Sequence, residues 1–186
     1  MTKARDLANG GFGLVLVKPS SVVGGTDNGK GTVTFSAQTS VSLNICFNSI
    51  YQNYRVILSV ETSQACHVQI RYRNSNSDNT TSNYFSGYVN TSLASGTITG
   101  DPAGAASNIM SRTGYSNGAG VLTMFYDIYN PFLAKATGLS AIQSRNDAFV
   151  SGIGGFFQAA TSFDGITFIP SAGNITGEVS VYGYNK

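Results

Sequence analysis

The chain has 186 residues and a mass of 19.5 kDa, enough for one domain with a real core and too short for two comfortable ones. Charged residues make up 11% of it, under half of the roughly 25% usual in soluble domains, while 41% is hydrophobic and 11% aromatic. That combination excludes a disordered chain, and a net charge of +2 argues against strongly electrostatic partners.

Small neutral polar residues replace the missing charge: Ser, Thr, Asn and Gly together account for 78 of the 186 positions, a composition of turns and strand surfaces. A surface so poor in charge suits a protein whose faces are covered by copies of itself or by a larger assembly. No stretch approaches the ~18 apolar residues of a membrane span. The apolar run from Phe12 to Val17 is too short for a signal-peptide core, so synthesis in a cytoplasm is expected.

Residues 1–30 carry the whole net charge, with Lys3, Arg5, Lys18 and Lys30 against Asp6 and Asp27. Gly11 to Val17 is apolar, and Pro19 and the Gly24-Gly25 pair then interrupt regular structure. This stretch reads as an arm holding at most one strand. From Thr32 onward the pattern is alternation. Val33 and Phe35 share one face; Val41, Leu43, Ile45 and Phe47 share the next; Tyr54, Val56, Leu58 and Val60 follow. Cys66, Val68, Ile70 and Tyr72 form a fourth set, with His67, Gln69, Arg71 and Arg73 opposite. Period two with one polar face marks half-buried antiparallel strands.

Residues 74–83 are polar throughout and read as a long loop. Tyr84 to Val89 resumes structure, Gly100 to Gly104 reads as a turn, and Ile109 to Arg112 as a short strand. Val121 to Tyr129 is a long strand closed by Asn130-Pro131. Leu133 to Ser144 fits either a strand or a short helical piece, and Ala148 to Phe157 is apolar but rich in glycine. An Asp164-Gly165 turn signal precedes a strand, and Thr176 to Tyr184 is the last one. Eight to ten strands without a convincing helix give an all-β sandwich or barrel.

Chemistry-bearing residues are sparse. His67 is the lone histidine, and its place on a polar strand face reads as solvated or interfacial. The carboxylates are scattered singly, and no complete phosphate-loop motif occurs. Two carboxylates meeting in space to cut a glycan is the weaker alternative. Cys46 and Cys66 read as small buried hydrophobes, a disulfide requiring facing neighbours. Two Cys and one His fall short of a structural zinc set, so no metal or cofactor is expected. Arg55, Arg71 and Arg73 interleave with Tyr54 and Tyr72 like a stacking platform. The balanced charge outside the arm argues against nucleic acid, leaving the tyrosines as core and the arginines as pairing groups at a protein interface.

Four segments, in order, resemble small tailed-phage virion surface proteins: Thr2 to Gly11, Phe47 to Val60 with its Tyr54-Arg55 strand entry, Asn130-Pro131 after a long strand, and Ile175 to Tyr184. The resemblance implies a jelly-roll-like antiparallel β-sandwich with an extended N-terminal arm, on a virion surface, without cofactor or catalytic residues. It implies a homo-oligomer, a trimer by preference, with the major capsid protein or other virion proteins as partners and neither nucleic acid nor membrane among them. Because no heptads or collagen-like repeats supply a shaft, capsid decoration (cement) is favoured over a tail or head fibre domain binding a host receptor or glycan. The expected division is an assembly anchor at residues 1–30, working through Arg5, Phe12, Leu14, Leu16 and Val17, and a sandwich body at 31–186. The expected outward contacts are Asn76, Asp78, Asn79 and Tyr84, with the turn near Asp101.

Overall fold

The computed structural model describes residues 13–118 and 120–185, the side chains of 103–105 excepted. Among them lie sixteen strands and no helix: β1 Leu14–Val17, β2 Ser21–Val23, β3 Thr26–Asp27, β4 Thr32–Gln38, β5 Val41–Asn44, β6 Asn53–Thr62, β7 Ala65–Asn74, β8 Ser77–Asp78, β9 Tyr84–Ser92, β10 Ile98–Ser107, β11 Tyr115–Asn117, β12 Leu122–Tyr129, β13 Lys135–Arg145, β14 Phe149–Thr161, β15 Gly165–Pro170 and β16 Ile175–Tyr184. Every pairing is antiparallel, in two sheets. The larger runs β10-β9-β14-β13-β12-β6-β16-β4-β3, with β1 also on β16; the smaller runs β11-β7-β15-β5-β2, with β8 beside β7. Successive strands switch sheets at β4-β5-β6-β7 and again at β14-β15-β16, a jelly-roll habit, and the meander β12-β13-β14 widens the larger sheet.

The core lies where the alternation put it. Val56, Leu58, Tyr126, Ile128, Val179 and Val181 of the larger sheet are fully buried. They meet Val41, Leu43, Val68, Ile70, Ile166 and Phe168 of the smaller one, also buried. Tyr126 and Phe168 join the two layers with ring centroids 6.0 Å apart. At one end an aromatic group closes the sandwich: Tyr72 stacks on Phe163 at 5.0 Å, and Phe157 stands edge-on to both Phe163 and Tyr84. Such rings combine a large buried area with preferred edge and offset geometries.

Several sequence expectations change here. Residues 14–27 are not set apart from the body. β4 covers β16 only from Ile175 to Ser180, which leaves the last residues of β16 with an open edge. β1 fills that edge, Leu14 opposite Tyr184 and Val17 opposite Val181, so backbone groups that need partners find them in the same chain. β2 joins β5 and β3 joins β4. The division at residue 30 therefore has no counterpart in the strand pairing. Gly100 to Pro102 is no turn but part of β10, with Asp101 opposite Tyr88. Leu133 to Ser144 resolves as strand β13, and the Ile109–Arg112 segment makes only one bridge, Met110 to Ile70.

Glycine lets β14 sit where it does. A Cβ at Gly155 would fall 2.7 Å from the Met110 sulfur and 3.0 Å from the Phe85 carbonyl. Only a residue without a side chain admits Met110 into the core at that point.

Candidate assembly surface

Cross-strand partners in an antiparallel ladder share a face. The register therefore sorts the far side of the larger sheet into rows. One row runs Ile57, Phe125, Ile142, Gly152, Val89, Gly100 across β6, β12, β13, β14, β9 and β10. The next runs Tyr182, Arg55, Asp127, Ser140, Gly154, Gly87, Pro102, and a third holds Tyr129, Gly138, Phe156 and Phe85. This is the side away from the core, yet it is apolar. Ile142 is 61% exposed, Val89 51%, Phe156 44% and Phe125 42%. Phe85 and Phe156 stack with centroids 4.8 Å apart. Contiguous exposed apolar side chains on one face mark an interaction surface, whereas scattered ones do not.

Beside the apolar ridge lies a shallow cavity of about 510 Å³, bordered by Gly87, Val89, Gly100, Pro102, Gly152 and Gly154. A Cβ built at Gly152 or Gly154 meets nothing within 4 Å. These two glycines do not serve packing within the chain, unlike Gly155; they leave a floor open.

In the three rows only Arg55 and Asp127 are charged, and they neutralise each other. The guanidinium donates from Nε to Asp127 Oδ1 at 2.8 Å and from Nη2 to Oδ2 at 2.7 Å, and the Tyr184 hydroxyl donates to Oδ1 at 2.5 Å. Partial burial alone raises the Asp127 pKa, but the hydrogen bonds from Arg55 and Tyr184 and the Arg55 charge outweigh it and hold the carboxyl below its usual range. Burial, then the Asp127 contact, pushes the Tyr184 phenol up to about 12.

On the polar strand face of the smaller sheet His67, Gln69 and Arg71 are half-exposed, and only the Arg73 end is covered. Arg73 is buried there, donating to Asn44 Oδ1 at 2.8 Å, Ser42 Oγ at 3.0 Å and Thr167 Oγ1 at 2.8 Å, and it also binds the Asp78 carboxylate and the Asn76 carbonyl. Asp164 accepts from the Ser75 amide at 2.9 Å, and the Asn79 amide donates to the Tyr72 carbonyl at 2.9 Å. Residues 75–79 thus form a short strap pinned beside β7, while 74–77 and 80–82 stay exposed.

His67 sits at the edge of β7 between the rings of Tyr115, 5.1 Å away, and Tyr88, 5.9 Å away. Burial, then the Arg112 charge, lowers its pKa, against weaker opposing effects of the Gly114 backbone and Asp101. Asp101 is itself within 2.8 Å of Arg112. Among the described residues no three His, Cys, Asp or Glu side chains gather closely enough to hold a metal ion.

The anticipated site residues fare unevenly. Arg5 and Phe12 lie outside the described residues. Leu14 and Leu16 are exposed and share the apolar face through their partners Tyr184 and Tyr182, while Val17 is buried. Asn76 is exposed, Asp78 and Asn79 are half-buried, and both Asp78 and the Asn76 carbonyl are taken up by Arg73. Tyr84 is not outward at all: it is fully buried, its hydroxyl accepting from the Tyr72 amide at 3.0 Å and donating to the Asn79 carbonyl at 3.1 Å. Tyr54 and Tyr72 are core, as read, but the arginines pair within the chain: Arg55 with Asp127, Arg73 with the strap, Arg71 with the Asn108 carbonyl. Cys46 and Cys66 are buried free thiols. The ridge itself had a legible signal, since Phe125 and Tyr129 are apolar on the opposite face from Met124, Tyr126 and Ile128. A strand apolar on both faces is a strand covered on both faces.

Fold and surface together define an antiparallel β-sandwich whose larger sheet has a broad, largely apolar face that none of the described residues covers. No protein-family model and no curated protein matches the chain. Among solved structures it is similar to the SPRY domain of human HERC1, with 10% identity, 86% of this chain and 98% of that one covered, and a TM-score of 0.29. It is also similar to a fructofuranosidase from Schwanniomyces occidentalis complexed with fructose, with 10% identity, 90% of this chain but 35% of that one covered, and a TM-score of 0.33. Arcelin-5, a lectin-like defense protein from Phaseolus vulgaris, gives 9% identity, 94% and 99% coverage and a TM-score of 0.22. These likenesses carry no argument about function, and the fold rests on the strand pairing itself.

Proposed function

We propose that the protein is a structural subunit of a larger assembly rather than an enzyme, and more finely a tailed-phage virion surface protein of the capsid decoration (cement) type. The observation that carries the reading is the exposed apolar face of the larger sheet, ridged by Phe125, Ile142 and Phe156, whose three rows hold no unpaired charge. Burying such side chains against a neighbour contributes about 1.5–3 kcal/mol each before ordering costs. The four ordered segments that resemble virion surface proteins give that neighbour its setting. Leu14 and Leu16, proposed as part of the anchor, adjoin the same face.

The reading is tested by adding purified protein to capsids emptied of decoration and counting bound copies by electron microscopy. Saturable binding in hundreds of copies per particle is the expected result. No capsid binding, with saturable binding to host cells instead, replaces decoration by the fibre role.

A further inference from the structure

We infer that the occupant of this face is a second copy of the same chain, packed sheet on sheet about a two-fold axis lying along the strands between β13 and β14. The inference does not depend on the virion setting. It rests on three properties of the face.

The first is shape. Ridge and trough lie side by side in one row: Ile57, Phe125 and Ile142, then Gly152, Val89 and Gly100. A two-fold axis between β13 and β14 reverses that order in the partner. Each Ile142 then stands over the other copy's Gly152, and each Phe125 meets the other copy's Val89. An isologous contact needs a patch complementary to itself, with every knob matched by a hole on the same surface. The open space above Gly152 and Gly154 is that hole, and Ile142, the most exposed apolar side chain of the row, is that knob.

The second is charge. About this axis neither charge of the three rows meets its like: Arg55 lies opposite the other copy's Pro102 and Asp127 opposite its Gly87. Here the Arg55–Asp127 pair is closed within each copy, so two identical faces meet without net repulsion.

The third is extent. About that axis the overlap is the six strands β6, β12, β13, β14, β9 and β10, three on each side; with strands ~4.8 Å apart and ~3.4 Å per residue the rows there span roughly 24 by 17 Å, about 400 Å² before side-chain relief is counted. That is about half of the roughly 800 Å² per partner of a standard stable interface, the scale of a reversible, concentration-dependent pair. A two-fold pair, rather than the trimer the family resemblance implies, follows because knob and hole share one surface.

The test is the mass of the full-length protein in solution by sedimentation equilibrium, with two variants. Gly152→Phe fills the trough at a position where a side chain meets nothing in its own chain, so the monomer folds normally. Ile142→Asp places a charge on the knob. The wild type is expected at twice 19.5 kDa. Both variants are expected at 19.5 kDa with an unchanged circular dichroism spectrum and self-association weakened by at least about 100-fold. A wild type that is monomeric at about 100 µM, or an oligomer that survives both substitutions, overturns the inference.

Discussion

At the residue scale, two groups make the structure sensitive to pH. His67 has a folded-state pKa below its ordinary value, because burial among Tyr88 and Tyr115 and the charge of Arg112 disfavour the imidazolium, with Asp101 opposing. The unfolded chain therefore binds the proton more readily. The stability this imposes is present above the ordinary histidine pKa and is lost as pH falls through the window between the two values. Melting temperature should drop from pH 7 towards pH 5.5, and His67→Gln should flatten that part of the profile. Asp127 has the same sign in a lower window: its pKa is depressed, so its contribution persists at neutral pH and is lost only as pH falls through and below the ordinary carboxylate range. Asp127→Ala should cost about 1 kcal/mol in chemical denaturation, the scale of a charged hydrogen-bonded pair that is partly open to water.

Arg73 is a heavier case because it is buried. Arg73→Met leaves Asp78 without its cation and the Asn44 Oδ1 without its donor, while Ser42 and Thr167 keep their bond to each other. A loss of about 3 kcal/mol is expected, with faster amide exchange confined to residues 75–79 before the rest of the sheet. Exchange that rises uniformly instead would show that the strap is not held by this residue.

At the scale of elements, neighbouring glycines of β14 make opposite predictions. Gly155→Ala forces a Cβ against Met110 and the Phe85 carbonyl and should destabilise by about 1–3 kcal/mol. Gly154→Ala enters open space and should lie within about 0.5 kcal/mol of the wild type. The sequence could not separate these two positions, since both read as glycine in an apolar stretch. What distinguishes them is the far partner, Met110, which arrives from 45 residues away in the chain.

The same limit explains the rest of the sequence reading. β6, β7 and β16 were legible because alternation is local and burial on one face is enough to produce it. The N-terminal segment read as an arm because charge and glycine set it apart, whereas its place depends on an edge of β16 at the other end of the chain. The polar run 74–83 read as outward because polarity predicts solvent. Most of the run is exposed, and Arg73, just before it, pins only Asp78 and the Asn76 carbonyl, a contact that local polarity does not show. Tyr84 read as a contact residue because it follows the loop, and the structure uses it as core.

At the scale of the whole molecule, the shortage of charge acquires a location. The rows of the larger sheet hold one closed ion pair, two open glycines and a ridge of apolar side chains. A free surface of this kind costs solubility, and covering it recovers the hydrophobic free energy left unburied in the single chain. Both native thiols are buried, so a cysteine placed on the ridge reports its surroundings over a quiet background. The most direct measurement is the rate at which a thiol reagent labels an Ile142→Cys variant as protein concentration is raised. The labelling rate should fall at least about tenfold between roughly 0.1 and 100 µM as the face is covered by its own kind. A rate independent of concentration over that range would contradict the account, because it would mean that the ridge faces water at all times.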